Sequence, residues 1–244
     1  MANAPSKAEP DGYFQLTADP LASYVLVLPL LLIYQVGLFL TRGATINGAD
    51  IISVLLLRNY GWNGMLAYDA VLLLVGFVIG GVLLKRGKFD YKLALPVTVE
   101  STVYAIVLGL SITYVLQHIP LWIPLATDDL LAGVSVPARV CLAIGAGVNE
   151  EFVFRLGMFG GMLWLVRTAT KAEPKGGHVL AAVAVSSLLF SLAHYLGPEA
   201  FEVRSFLFRF LAGVFFCGLF WLRGFAVSVY THAIYDVIVM VILA

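Results

Sequence analysis

The segment from Leu21 to Leu40 reads LASYVLVLPLLLIYQVGLFL and contains no charged side chain. About 20 apolar residues in a helix cross the roughly 30 Å hydrocarbon core of a bilayer, so this segment predicts a transmembrane helix. Pro29 lies inside it, which a membrane helix tolerates because neighbouring groups satisfy the freed backbone carbonyl. The whole chain has this character: 61% of its 244 residues are hydrophobic, 12% are charged, and the mean hydropathy is +0.93. This composition excludes an ordinary soluble domain.

Further apolar segments predict six more membrane helices, which gives about seven spans, with eight as the alternative. They are Leu66–Leu84, Val97–Leu116, Val136–Thr168, Val179–Leu196, Phe206–Leu222 and Phe225 to the end. The segment Ile51–Leu57 is too short to cross and predicts an interfacial or re-entrant piece. We therefore expect an all-α, polytopic transmembrane helical bundle, with residues 1–20 as a polar N-terminal tail and residues 21–244 as a single transmembrane domain.

The positions of Lys and Arg between the predicted spans indicate the orientation of the chain. The 15 basic and 15 acidic residues balance, so no overall charge favours a nucleic acid as a partner. With the amino terminus inside, nine basic residues lie on the cytoplasmic side: Lys7, Lys85, Arg86, Lys88, Lys92, Arg167, Lys171, Lys175 and Arg223. Three lie on the outer side: Arg42, Arg58 and Arg204. Because cytoplasmic loops carry the excess of Lys and Arg, the amino terminus is expected inside, in the plasma (inner) membrane if the source is bacterial.

The fourth predicted span carries three charged side chains in the sequence NEEFVFR, which begins at residue 149. A charge at the bilayer centre costs on the order of 2.5–3.5 kcal/mol and therefore requires a partner, a water-filled cavity or a function. Glu151 precedes Arg155 by four residues, the spacing at which a helical ion pair forms, and we expect this pair to support the site. Glu150 has apolar residues at the equivalent positions, so it needs a partner from another helix.

Two histidines in other predicted spans are candidate partners. His194 ends the sequence FSLAH (190–194), and His232 begins the sequence HAIYD (232–236). Either histidine alone is explained equally well as a hydrogen-bonded contact between helices. Together with Glu150, and with Asp236 one turn after His232 on the same helical face, they supply the groups needed to bind and activate a water in an apolar cavity.

The depths of these residues agree only in part. At 1.5 Å per residue, Glu150 and His232 meet near the middle of the bilayer, whereas His194 is expected near the outer end of its span. Two arrangements would bring His194 to the others. Its helix continues past Pro198, or the connection to Phe206 dips into the membrane and lines the cavity.

These segments resemble the signatures of the type 2 CAAX prenyl endopeptidases, also called CPBP or Abi intramembrane proteases, which include the Ras-converting enzymes. The family carries Glu-Glu-x-x-x-Arg, Phe-x-x-x-His and His-x-x-x-Asn or Asp motifs, each on a transmembrane helix. This chain has them at 150–155, 190–194 and 232–236, and the resemblance covers about residues 135–240. Asp236 stands where the eukaryotic CAAX enzymes have Asn, a departure that bears on the CAAX substrate more than on the hydrolysis.

The resemblance implies an intramembrane endopeptidase that cleaves a membrane-bound or lipidated, for example prenylated, protein or peptide. It implies Glu150 as the general base on a water held with His194, while His232 and Asp236 stabilise the oxyanion or a metal. Whether the site binds a divalent ion such as Zn²⁺ stays open. Glu150, His194 and His232 are suitable ligands, but they lie on separate segments and form no His-Glu-x-x-His pair.

Two other classes of function fit the same residues. A non-catalytic membrane scaffold or immunity protein of this family would keep them and act by binding a partner. A small proton-coupled transporter would use a buried carboxylate and histidines as a proton relay.

In the sixth span, Arg209 is expected either to extend towards the interface or to hold an acidic partner.

Overall fold

The computed structural model describes residues 12–86, 89–118, 133–196 and 199–243, and these residues contain helices and connections but no β-strand. The α-helices are α1 (Tyr13–Ala18), α2 (Pro20–Leu40), α3 (Ile51–Lys85), α4 (Ala94–His118), α5 (Val136–Glu150), α6 (Gly161–Thr170), α7 (Gly176–Ala193), α8 (Val203–Arg223) and α9 (Phe225–Val237). Two 3₁₀ turns, Tyr91–Leu93 and His194–Leu196, and two π-helical segments, Glu151–Gly160 and Ile238–Ile242, complete the helical structure. Lys7, Lys88 and Pro198 of the sequence predictions lie outside the described residues.

Seven helical segments of the described residues are long and apolar enough to cross a membrane. They are 20–40, 51–85, 91–118, 136–170, 176–196, 203–223 and 225–242. The prediction of an all-α bundle with about seven spans is confirmed, and the chain is an integral, multi-pass membrane protein. The fourth span is continuous because α5, the first π-helical segment and α6 follow one another without a break.

The second span differs from its prediction in its extent. The segment Ile51–Leu57 forms the first two turns of α3, whose residues 51–85 comprise two helices that meet at Gly61. The φ of 60° and ψ of −157° at Gly61 are not helical, and a residue with a Cβ rarely adopts them. The predicted boundary between a short segment and the second span therefore agrees with the structure, although both helices extend closer to Gly61 than expected, and polar residues such as Arg58 and Asn63 surround this break. The interfacial position of the short segment stays a prediction.

The start of the described chain is tied to the bundle by a cluster around Glu100. Its carboxylate accepts hydrogen bonds from Arg223 at 2.6 and 2.8 Å and from the Tyr13 hydroxyl at 2.5 Å. Burial and the neighbouring Glu100 raise the pKa of the Tyr13 hydroxyl, which therefore keeps its proton and donates. Thr17, fully buried, accepts from Arg223 at 3.2 Å. The cluster joins α1, the start of α4 and the end of α8 at one end of the bundle.

At the other end of the bundle, the loop between α2 and α3 is folded onto the core. The Tyr34 hydroxyl donates to Asp50 and accepts from the backbone N–H of Asn47, both at 2.9 Å. Tyr34 is fully buried and packs in the main hydrophobic cluster, with residues of α2, α5 and α9. The loop is thereby fixed to the bundle, and Asn47 is placed beside α5.

Helices α5 and α9 approach closely at Gly147 and Ala233. A Cβ added to Gly147 would lie 2.6 Å from the backbone nitrogen of Ala233 and 2.7 Å from its Cβ. Small residues let membrane helices come this near to each other. Because Gly147 lies one turn before Glu150 and Ala233 follows His232, this contact brings the candidate base and the second histidine together.

We expect Gly147→Ala to separate α5 from α9 and to lower the free energy of unfolding by about 1–3 kcal/mol, the usual cost of overpacking. Thermal unfolding of the purified protein in detergent measures the effect. Gly218→Ala in α8 is the matched control, because a Cβ there meets no atom within 4 Å. Equal melting temperatures for the two variants would contradict the assigned contact.

Candidate active site

Adjacent carboxylates on the fourth span face different surroundings. Glu150 is the last residue of α5, and the π-helical segment begins at Glu151. Neighbouring residues on a helix point about 100° apart. The Glu150 side chain therefore lines a cavity, whereas the Glu151 side chain is fully buried. π-Helical turns often occur at functional sites, where they redirect side chains.

The Glu151 carboxylate organises the buried side of the site. It accepts hydrogen bonds from Ser228 Oγ at 2.5 Å and from His232 Nδ1 at 2.9 Å, and Arg155 Nε lies 3.4 Å away. The Arg155 guanidinium lies 4.1 Å from the centre of the Phe190 ring and 5.1 Å from that of Phe216. The predicted pair of Glu151 and Arg155 is present, and it also holds the His232 ring in place.

The hydrogen bonds of the two histidines show which nitrogens face the cavity. His194 Nδ1 lies 2.8 Å from the backbone oxygen of Phe190, and because a carbonyl oxygen only accepts, this nitrogen carries a proton. His232 Nδ1 donates to the Glu151 carboxylate in the same way. Each ring therefore directs its Nε2 atom to the cavity. Asp236 Oδ2 lies 3.6 Å from His232 Nε2.

Glu150 connects these two rings. One carboxylate oxygen accepts a hydrogen bond from Asn47 Nδ2 at 3.0 Å. The other is buried, has no hydrogen-bond partner among the described residues, and lies 3.7 Å from His194 Nε2 and 3.8 Å from His232 Nε2. These distances exceed a direct hydrogen bond, and a polar gap of this size suits a bridging water. The structure thus brings together Glu150, His194, His232 and Asp236, the four residues predicted as catalytic.

His194 reaches Glu150 although it lies near the end of its span. The α-helix stops at Ala193, and His194 begins a 3₁₀ turn that ends at Leu196. One quarter of its side chain is exposed, compared with about one-twentieth for His232. The depth mismatch expected from counting residues therefore does not separate His194 from the carboxylate.

A cavity of about 360 Å³ is lined by Glu150, His194, His232 and Asp236. Arg209 also lines it, and its guanidinium binds both oxygens of Glu199 at 2.7 and 2.9 Å. Of the two expectations for Arg209, the acidic partner is confirmed. The remaining wall is mostly apolar and is formed by α5, α7, α8 and α9, so the polar groups lie together within largely apolar surroundings.

Sequence reasoning missed two residues of the site, Asn47 and Ser228. Asn47 lies in a loop 103 positions before Glu150, and no spacing rule connects them. Ser228 lies one helical turn before His232, so the same face of α9 gave a signal for it. The described residues contain no group of three or more His, Cys, Asp or Glu side chains arranged to hold a metal ion.

A comparison with known protein families gives a match for the part of the chain that contains these site residues. Residues 132–238 match the family described as type II CAAX prenyl endopeptidase Rce1-like. This segment, which is less than half of the chain, is similar to an Rce1-like domain. Comparisons with curated proteins and with solved structures give no match. The matched segment includes all four predicted catalytic residues, whereas Asn47 comes from the preceding part of the chain.

Proposed function

We propose that this protein is an intramembrane endopeptidase in which Glu150 activates a water molecule. The observation that carries the proposal is the unpartnered, buried oxygen of Glu150, which faces the Nε2 atoms of His194 and His232 at 3.7 and 3.8 Å. A water at this point can donate one proton to the carboxylate and the other to a histidine nitrogen. Similarity to the Rce1-like family supports peptide-bond cleavage as the reaction.

In the proposed reaction the water oxygen attacks the carbonyl carbon of the scissile bond as Glu150 takes a proton from the water. The resulting tetrahedral oxyanion is stabilised by His232, which donates from Nε2 when this nitrogen also carries a proton, and the ring lies between the carboxylates of Glu151 and Asp236. Glu150 then passes its proton to the leaving nitrogen, and the C–N bond breaks. The products are a new carboxylate and a new amine.

Each supporting residue has a separate part in this scheme. Asn47 binds the second oxygen of Glu150 and so fixes the direction of the free one. Glu151 fixes the tautomer and the orientation of the His232 ring, and Arg155 compensates the charge of Glu151. A base that is held in one orientation loses less entropy when it reaches the transition state.

The substrate we propose is a membrane-associated protein or peptide, prenylated or otherwise anchored, and the membrane is the plasma membrane if the source is bacterial. A divalent ion at Glu150, His194 and His232 stays a prediction from the sequence. Because the described residues hold no group arranged as metal ligands, no step above runs through an ion. Loss of peptidase activity in the presence of a chelator, with recovery when Zn²⁺ is added, would support the prediction that the site binds a divalent ion.

The proposal is tested by profiling the termini of membrane proteins in cells that produce either the natural chain or Glu150→Gln. Uncut termini are expected to accumulate only with the variant, at equal expression. If the terminal profile is unchanged while the cellular phenotype of the chain persists, a binding role as a scaffold or immunity protein replaces the protease. Proton-driven uptake by liposomes containing the purified chain would instead indicate a transporter.

A further inference from the structure

The cavity lies towards one end of the bundle. Its wall is formed by the α2–α3 loop at Asn47, the 3₁₀ turn after α7 at His194, and the first turns of α8 at Ser205 and Arg209. The second half of α9 and the π-helical segment that follows it, as far as Met240, complete the wall. Partly exposed side chains lie on this side of Glu150, including those of His194 and Arg209. Water and substrate therefore reach the site from the end at which α2 and α7 finish and α8 begins.

On its other side the cavity is closed. Glu151 and Arg155 are fully buried, and Phe216, which stacks on the His232 ring, is 1% exposed. Phe216 lies halfway along α8 between Arg209 and Arg223. At 1.5 Å per residue, Arg223 and its cluster with Glu100 are about 21 Å from Arg209 along the helix axis, at the opposite end of the bundle.

The two ends carry very different numbers of basic residues. At the closed end, seven Lys and Arg of the described residues lie in connections or at helix ends: Lys85, Arg86, Lys92, Arg167, Lys171, Lys175 and Arg223. The cavity end has three basic residues in connections or near helix ends, which are Arg42, Arg58 and Arg204. The number is five when Arg139 and Arg209 within the spans are added. In the structure, Arg204 lies in the first turn of α8 and Arg42 lies in the loop with Asn47, which places both at the cavity end.

We infer that the candidate active site opens to the extracytoplasmic face of the membrane and acts on membrane-anchored polypeptide exposed on that face. The inference combines the position of the cavity with the tendency of Lys and Arg to remain on the cytoplasmic side. It rests on the proposed function for the cleavage itself, whereas the orientation of the chain is independent of it. A tail that remains in the cytoplasm would meet the closed, basic end of the bundle and would not reach Glu150.

The substrate class follows from this orientation. A polypeptide segment on the outer face has crossed the membrane, either as the outer end of a transmembrane helix or as an exported, lipid-anchored peptide. Among the described residues that line the cavity, most of the wall is apolar and Arg209 is the one Lys or Arg, and this residue is already paired with Glu199. An uncharged segment next to its anchor fits such walls better than a highly charged one.

Cysteine labelling in intact cells tests the orientation without requiring catalysis. The native cysteines, Cys141 and Cys217, are buried and are replaced by alanine in the background chain. Phe201→Cys places an exposed thiol at the cavity end, and Ala172→Cys places one at the closed end. A membrane-impermeant maleimide is expected to label only Phe201→Cys in intact cells, and both variants after lysis.

A second pair repeats the measurement if either variant fails to accumulate. Ser135→Cys lies at the cavity end and Lys175→Cys at the closed end, and both positions are exposed. Labelling at the closed end in intact cells, alone or together with the cavity end, overturns the inference. Such a result leaves the proposed peptidase unaffected.

The profile of termini gives the functional half of the test. Peptides that stay uncut in Glu150→Gln cells are expected to derive from segments on the outer face. If these peptides instead derive from cytoplasmic tails, the inference fails although the peptidase is supported. If no Glu150-dependent terminus exists while labelling follows the expected pattern, the orientation stands and the proposed function fails.

Discussion

Glu150→Gln is expected to lower kcat/KM for a cleaved membrane peptide by about 10²–10⁴-fold, the usual contribution of a general base. The amide keeps the size of the side chain and its contact with Asn47, but it takes no proton from water. The measurement is the rate of peptide cleavage by the purified protein in liposomes. Expression, helical content and melting temperature are expected to stay close to those of the natural chain.

Glu173→Gln is the matched control for this substitution. Glu173 carries the same charge, but it pairs with Arg167 at an exposed site, where both side chains are more than half accessible. The control is expected to cleave at the natural rate. A Glu150→Gln protein that keeps the natural kcat/KM would show that the carboxylate is not the base.

Arg155→Met is expected to lower the free energy of unfolding by about 3–5 kcal/mol, because it leaves Glu151 as a fully buried carboxylate without its cation. Unfolding of the purified protein in detergent measures the loss. Arg167→Met is the matched control, since an exposed ion pair contributes about 0–1 kcal/mol. Equal losses for the two variants would contradict the assigned role of the buried pair.

The double variant Glu151→Leu, Arg155→Met separates stability from activity. Replacing a whole buried ion pair by apolar residues of similar size is often close to neutral, so much of the stability lost in Arg155→Met is expected to return. Cleavage is not expected to return, because His232 Nδ1 then lacks the carboxylate that orients its ring. Recovery of both properties would mean that Glu151 serves only the fold.

Most of the fold could be predicted from the sequence because a membrane span depends on a single quantity, the length of an apolar run. The break at Gly61 lies at the boundary that its polar neighbours indicated, although the helices on both sides extend closer to it than predicted. The cluster of Glu100 with Arg223 and Tyr13 was not predicted, because Tyr13 and Arg223 lie 87 and 123 positions from Glu100 along the chain. Such contacts depend on how the helices pack and leave no pattern along one helix.

The cost of burying polar groups in a membrane helix indicated four of the residues that the structure brings together, and their catalytic roles stay a prediction. Glu150, His194, His232 and Asp236 stood out because charged and polar groups are expensive within an apolar span. Asn47 did not, since it lies in a loop where an amide is ordinary. The turn of the fourth span into a π-helix at Glu151 has no sequence signal that we can identify, yet it follows directly after the carboxylate that lines the cavity.

Hydrolysis in water enriched in ¹⁸O tests most directly whether Glu150 activates a water that attacks the peptide. After many turnovers of the purified protein on a membrane-anchored peptide, mass spectrometry locates the label. The account predicts one solvent oxygen in the new carboxylate of the product and none in the enzyme peptide that contains Glu150. Label on the Glu150 carboxylate would show attack by the side chain itself, and the absence of any labelled product would show that the chain does not hydrolyse peptides; either result would contradict the account.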